Sequence, residues 1–287
     1  MAWHHSLHPL KLFIGLGCFI AALSIFILLG FLIQSSLPFW QAFGITSLWG
    51  KEWYPYESLY GFLPAIVGTI WALIIAMLIA VPCGVSAAIV SSEILSPAWR
   101  NMARIGMEVL AGIPSVVYGL IGLWVLLPFL QHSLDLLTGH NLLASGIILS
   151  LMILPTIMVM SQDALQAVSA EQRESAMNLG LNENQCLYRV LLPQAWSGIR
   201  SGMLLALGRA LGETMAVMLV VGSMDRLPQP FYNILEPAQT LTSRIGREMG
   251  EAAFGSLHFS ALMGCGLILA IIAMALSLFA YQKQATS

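Results

Sequence analysis

The sequence predicts an all-α membrane protein, one bundle of six transmembrane helices, and three observations predict it. The 287-residue chain is 58% apolar and 9% charged, with a mean hydropathy of +0.81, whereas soluble domains carry about 25% charged residues. Six apolar runs, at roughly 12–34, 62–91, 106–130, 141–161, 199–222 and 258–281, are each long enough to cross a hydrocarbon core of about 30 Å at about 1.5 Å per residue. None of them shows the alternation of a barrel strand, and a run of this length in lipid must pair its backbone groups internally, which leaves helices.

The first run follows His4, His5, His8 and Lys11. Its apolar core is too long for a cleaved signal peptide, so it reads as a retained span. The loop after it holds Phe39, Trp40, Phe43, Trp49, Trp53, Tyr54, Tyr56 and Tyr60, amphipathic rings suited to a membrane-water interface, with a ligand cage as the alternative. Residues 1–61 are therefore expected to form a tail, a first helix and an outer loop, and residues 62–287 a domain of five helices. Pro82 and Gly84 predict a kink or break near the far end of the second run, as do Pro114 and Pro128 in the third. Glu108 falls at the start of the third run, as a solvated end charge near the cytoplasmic interface.

Charge sets the orientation. With the N-terminus inside, Lys11, Arg100, Arg104, Arg173, Arg189, Arg200 and Lys283 are cytoplasmic, while Lys51, Arg226, Arg244 and Arg247 lie outside. The positive-inside rule then favours cytoplasmic N- and C-termini. The last outer loop, about 223–257, mixes Arg226, Arg244 and Arg247 with Glu236, Glu248 and Glu251, a set fit either for docking a soluble partner or for solvation. The net charge of −2 and the scattered basic residues give no nucleic-acid footprint. Cys18, Cys83, Cys186 and Cys265 have no CxxC or metal spacing, so no metal and no cofactor is expected. No catalytic residue is expected either, because the spans lack a nucleophile paired with a base.

One long cytoplasmic segment, about 162–198, has the punctuation of a helix-turn-helix outside the membrane. It contains Glu174, Ser175 and Ala176, then Gly180, Val190, Leu192 and Pro193. Glycine can adopt the left-handed conformation that ends one helix and turns into the next, and Ala176, Leu179 and Leu187 could seat in a partner's groove. An amphipathic helix on the membrane surface is the alternative. A P-loop needs Lys followed by Ser or Thr, but Lys11, Lys51 and Lys283 are followed by neither, so the chain does not bind ATP in that way.

The fifth run contains Gly208, Arg209, Ala210, Leu211, Gly212, Glu213, Thr214 and Met215. If the run is one helix, Arg209 and Glu213 stand at i and i+4 on one face. Charges at membrane depth cost about 2.5–3.5 kcal/mol each and usually face a partner, a cavity or a substrate path. Arginine offers planar donors to an oxyanion, and mutual neutralisation by Glu213 is the other reading. Two rows of small residues, Gly198, Gly202, Ala206 and Ala210, and Gly208, Gly212 and Ala216, permit close helix approach.

The 174–193 spacing resembles the EAA motif of ATP-binding-cassette (ABC) importer permeases, with Ser175 and Val190 as departures. Together with residues 61–69, residues 108–119 and the 208–217 stretch, it makes nearly the whole chain similar to the PstC family of phosphate ABC transporter permeases. That resemblance implies a type I (MetI-like) importer fold in the bacterial inner membrane. It also implies a second permease of PstA type, a dimer of ATP-binding subunits, a periplasmic phosphate-binding protein, and phosphate as cargo. Glu174, Ser175, Ala176, Gly180, Leu192 and Pro193 would couple to the ATPase, and Arg209, Glu213 and Thr214 would line the path. The remaining alternatives are a permease for sulfate, molybdate or a phosphonate, or a proton-coupled carrier using Arg209 and Glu213 as a relay.

Overall fold

The computed structural model describes the backbone of residues 7–285 and the side chains of 13–278. His4 and His5, the side chain of His8, and the side chains of Lys11 and Lys283, the two lysines counted towards orientation, lie outside the described residues. The chain runs through α1 (Leu7–Phe43), a two-stranded hairpin of β1 (Trp53–Tyr54) and β2 (Leu59–Tyr60), α2 (Leu63–Ile89), α3 (Pro97–Gly112), α4 (Ser115–Ile121), α5 (Leu127–Ser133) and α6 (Leu142–Gln166). It continues through α7 (Ala170–Asn178), α8 (Glu183–Cys186), α9 (Leu192–Leu211), α10 (Met215–Val220), α11 (Leu241–Glu248) and α12 (Leu257–Ala285).

Among the described residues, five segments are long and apolar enough to cross a membrane: 13–43, 63–94, 115–133, 142–166 and 257–278. The remaining expected crossing, 199–222, is interrupted. Helix α9 stops at Leu211 and α10 begins at Met215. The third crossing also starts later than its apolar run. Ile113 and Pro114 are extended, with ψ of 131° and 138°, because proline disfavours the helical conformation in the residue before it. Glu108 therefore lies on a separate, amphipathic helix rather than at the head of a span.

Pro82 does not break α2, which continues to Ile89 and closes in a π-helical turn over Val90–Ile94. Two other π turns, Gly122–Leu126 and Leu187–Leu191, end two residues before Pro128 and Pro193. Each such turn falls where a proline withholds a backbone donor, and local widening of the ladder accommodates it.

Close packing holds the bundle together. An added Cβ on Gly84 would stand 2.9 Å from Ile157, and one on Gly146 would stand 2.4 Å from Ile75, so α2 and α6 meet almost backbone to backbone. The same holds where Gly198 meets Ala164 and Gly202 meets the Met160 Cβ, each at 2.6 Å, while Ala206 and Ala210 are buried along that seam. The first small-residue row therefore packs α9 on α6, as small residues do in lipid. The second does not, since Gly208 faces open space and Gly212 is exposed. Ala216 alone of that row is buried, against Gly119 of α4.

Part of the aromatic loop after α1 folds into the bundle. Trp53 pairs with Tyr60 across the hairpin. Their rings join Phe39 and Phe62 in a buried cluster with centroids 5.3–5.5 Å apart. Edge-to-face aromatic packing of this kind adds to the burial of apolar surface, while Trp49, Tyr54 and Tyr56 stay exposed.

Candidate functional site: a helix-glycine-helix turn and an arginine beside a helix break

The 162–198 segment has a defined turn at its centre. Gly180 has φ +85°, its N–H bonds the Met177 carbonyl and the Leu181 N–H bonds that of Ala176. This is a Schellman ending, which needs a left-handed residue and takes glycine without a Cβ penalty. Asn182 then starts α8 with a capping box closed by Gln185, and the π turn leads to Leu192 and Pro193 at the head of α9.

Glu174, Ser175, Gly180 and Pro193 are exposed and Leu192 is half-buried. Ala176 faces the other way. It is buried with Ala88, Met158, Leu165, Cys186 and Leu191, and Leu187 packs against the same cluster. The expectation that Ala176 and Leu187 both project into a partner's groove is thus corrected: they seat α7 and α8 on the chain's own bundle. Leu179, 84% exposed, is the outward apolar residue at this turn. The Arg173 guanidinium, whose proton is held more tightly because it hydrogen-bonds Glu93, makes a two-pronged bond to that carboxylate at the end of α2. Pattern reading missed this pair, because Glu93 lies eighty residues earlier in the chain.

Arg209 is exposed near the end of α9. Its guanidinium donates to the Ala111 carbonyl at 3.1 Å and to the Thr156 hydroxyl at 3.4 Å. The Ala111 carbonyl is one of the last of α3, where the helix dipole favours a cation. Arg209 and Glu213 form no ion pair with each other, because the helix that would place them on one face ends between them. Glu213 instead turns its carboxylate to the Ala216 N–H, 3.1 Å away, and caps α10. Thr214 sits at the break, its hydroxyl donating to the Gly212 carbonyl at 3.4 Å and its methyl against Gly246 of α11. Glu108 pairs with Arg104, which also reaches Asp163.

The 223–257 loop is built around a charge cluster. Arg244 is wholly buried and reaches Asp225 at 2.6 Å and the Gly61 carbonyl at 3.2 Å. Arg247 bonds Asp225 and Glu248, and Glu248 also accepts from Trp53 at 2.8 Å and pairs with His258 at 2.9 Å. Burial pushes the Glu248 carboxyl up, but the hydrogen bonds from Arg247, Trp53 and His258 outweigh it and hold it below the ordinary value. Arg244, read as a solvated or docking charge, is instead a buried structural one.

A helix-glycine-helix segment and an arginine beside an interrupted helix fit a membrane transport subunit. The family described as "Binding-protein-dependent transport system inner membrane component" matches residues 80–285. The phosphate transport system permease protein PstC of Mesorhizobium japonicum is 38% identical, covering 88% of this chain and 83% of its own length. That of Pasteurella multocida is 36% identical, covering 88% and 84%. Among solved structures, a bacterial alginate ABC transporter aligns with a TM-score of 0.64 at 16% identity, covering 98% of this chain and 96% of its own. The MetNI methionine ABC transporter aligns at 0.58 and 17%, covering 82% and 100%. These two show the MetI-like fold.

The chain belongs to the binding-protein-dependent transport system inner membrane component family, and within it to the PstC branch. It is a multi-pass inner-membrane permease subunit, not an enzyme, and its ATPase and solute-binding protein are separate chains.

Proposed function

We propose that the chain forms the membrane path for inorganic phosphate in an ATP-driven importer, side by side with a second permease of PstA type. A dimer of ATP-binding subunits sits on the cytoplasmic face, with both termini of this chain, and a periplasmic phosphate-binding protein delivers cargo on the other. The observation that carries this reading is Arg209, a cation at membrane depth that is exposed on the single subunit and bonded to neutral oxygens instead of a carboxylate.

An arginine without a carboxylate partner keeps its full charge and part of its donor fork for an oxyanion. Glu213 and Thr214 lie one turn further along, at the helix break. Their negative and polar groups keep the anion from being held too tightly, since a pathway needs binding weak enough to release. At the cytoplasmic end, Glu174, Ser175 and Gly180 meet the ATPase, and Ala176, Leu192 and Pro193 fix the segment on the bundle. Closure of the ATPase dimer on ATP then biases a rigid-body switch between inward-open and outward-open arrangements.

The test is uptake of radiolabelled phosphate by phosphate-starved cells with and without this chain, with unlabelled sulfate, molybdate or phosphonate as competitors and a protonophore control. Loss of a protonophore-resistant component that only phosphate competes away supports the reading. Competition by another oxyanion reassigns the cargo, and protonophore-sensitive uptake reassigns the energy source.

A further inference from the structure

The helix proposed to meet the ATPase has a thin apolar seat. Of the described residues of α7, Ala176 is the one that is buried, and a small side chain of this kind resists sliding weakly. Beside it, between α7 and the end of α2, opens a cleft of about 220 Å³ lined by Glu93, Arg173, Met177, Glu183, Leu187 and Leu191. The two elements are joined at this point by Arg173, whose two terminal nitrogens meet the two oxygens of Glu93, one of them at 2.8 Å. A two-pronged guanidinium-carboxylate bond fixes direction as well as distance.

Glu93 stands on a stiff base. It lies in the π turn that closes α2, and Arg100 of α3 binds the carbonyls of Ser91 and Ser92 in the same turn. From there α2 runs against α6 through the Gly84–Ile157 and Gly146–Ile75 contacts, too tight for relative sliding, and α6 meets α9 at Gly198 and Gly202 in the same manner. Thr156 of α6 accepts from Arg209 of α9. A displacement of Glu93 therefore moves rigid elements that end at the membrane-depth arginine.

We propose that Arg173 and Glu93 are a positioning pair that transmits the movement of α7 into α2 and thereby couples ATP hydrolysis to transport. The proposal rests on the reading of α7 as the ATPase contact. Neither residue touches cargo or nucleotide: they act through the helices they join.

The experiment uses the complete complex in proteoliposomes and measures phosphate moved per ATP hydrolysed. Arg173→Ala is expected to lower that ratio several-fold in complexes that still assemble. Arg173→Lys, which keeps the charge and loses the fork, is expected to fall between the two. Exchanging the charges, Arg173→Glu with Glu93→Arg, is expected to recover most of the ratio. An unchanged ratio in assembled Arg173→Ala overturns the proposal, and so does a loss that the exchange leaves unrecovered, which marks a merely structural role. Failure of the underlying reading looks different: Gly180→Asp would then leave both ATPase association and transport intact.

Discussion

The guanidinium of Arg244 lies 4.1 Å from the centre of the Trp53 ring, although the two are far apart in the chain. Trp53 stands on the hairpin after α1 and Arg244 on the helix before α12, so this contact and the bond to the Gly61 carbonyl fasten an early and a late part of the chain to each other. A guanidinium over an indole is attracted by the ring's quadrupole, the more so when desolvated.

Arg244→Leu is expected to destabilise the subunit by about 3 kcal/mol, at the lower end for removing one partner of a buried pair because Asp225 keeps Arg247. Thermal unfolding of the detergent-solubilised complex measures it. A change within error would show that Asp225 and Trp53 do not depend on this arginine.

The same cluster predicts acid sensitivity. The folded value of Glu248 is below its ordinary 4.5, so its contribution is fully present above pH 4.5 and is lost as pH falls through the lowered folded value. Melting curves between pH 6 and 3 should fall through that window, and Glu248→Gln should flatten them while lowering the plateau. A parallel fall in the variant would assign the acid sensitivity elsewhere.

Arg209→Ala is expected to abolish uptake while leaving the subunits co-purifying, because the guanidinium's partners are neutral groups that remain satisfied by solvent or by each other. Co-purification and uptake read in the same cells separate the two effects. Normal uptake by the assembled variant removes Arg209 from the path.

Gly180→Asp puts a Cβ and a charge on a residue with φ +85°, at a local cost of about 1 kcal/mol. The larger expected effect is functional, loss of ATPase association and of uptake. ATPase retention on the tagged permease and uptake in the same strain measure it, and full retention of both would count against the coupling role.

The apolar runs and the glycine turn were legible in the residues, because span length and left-handed glycine are local properties. The charge rows were less legible. Reading 199–222 as one helix put Arg209 and Glu213 on one face, whereas the chain breaks at Gly212–Thr214 and each side chain takes a different partner. Ala176 was visible as part of a motif, but which face of α7 carried it depended on how that helix docks.

By itself, then, the sequence determined the membrane class, the all-helical architecture, the family resemblance and the turn at Gly180. Only the tertiary structure decided that Arg244 is a buried structural cation, that the aromatic loop is a packed cluster, and that Glu93 meets Arg173. The physical reason is range. Hydropathy and backbone preference act within a few residues, while the Glu93–Arg173 and Gly61–Arg244 bonds join positions 80 and 183 residues apart and exist only once the helices have packed.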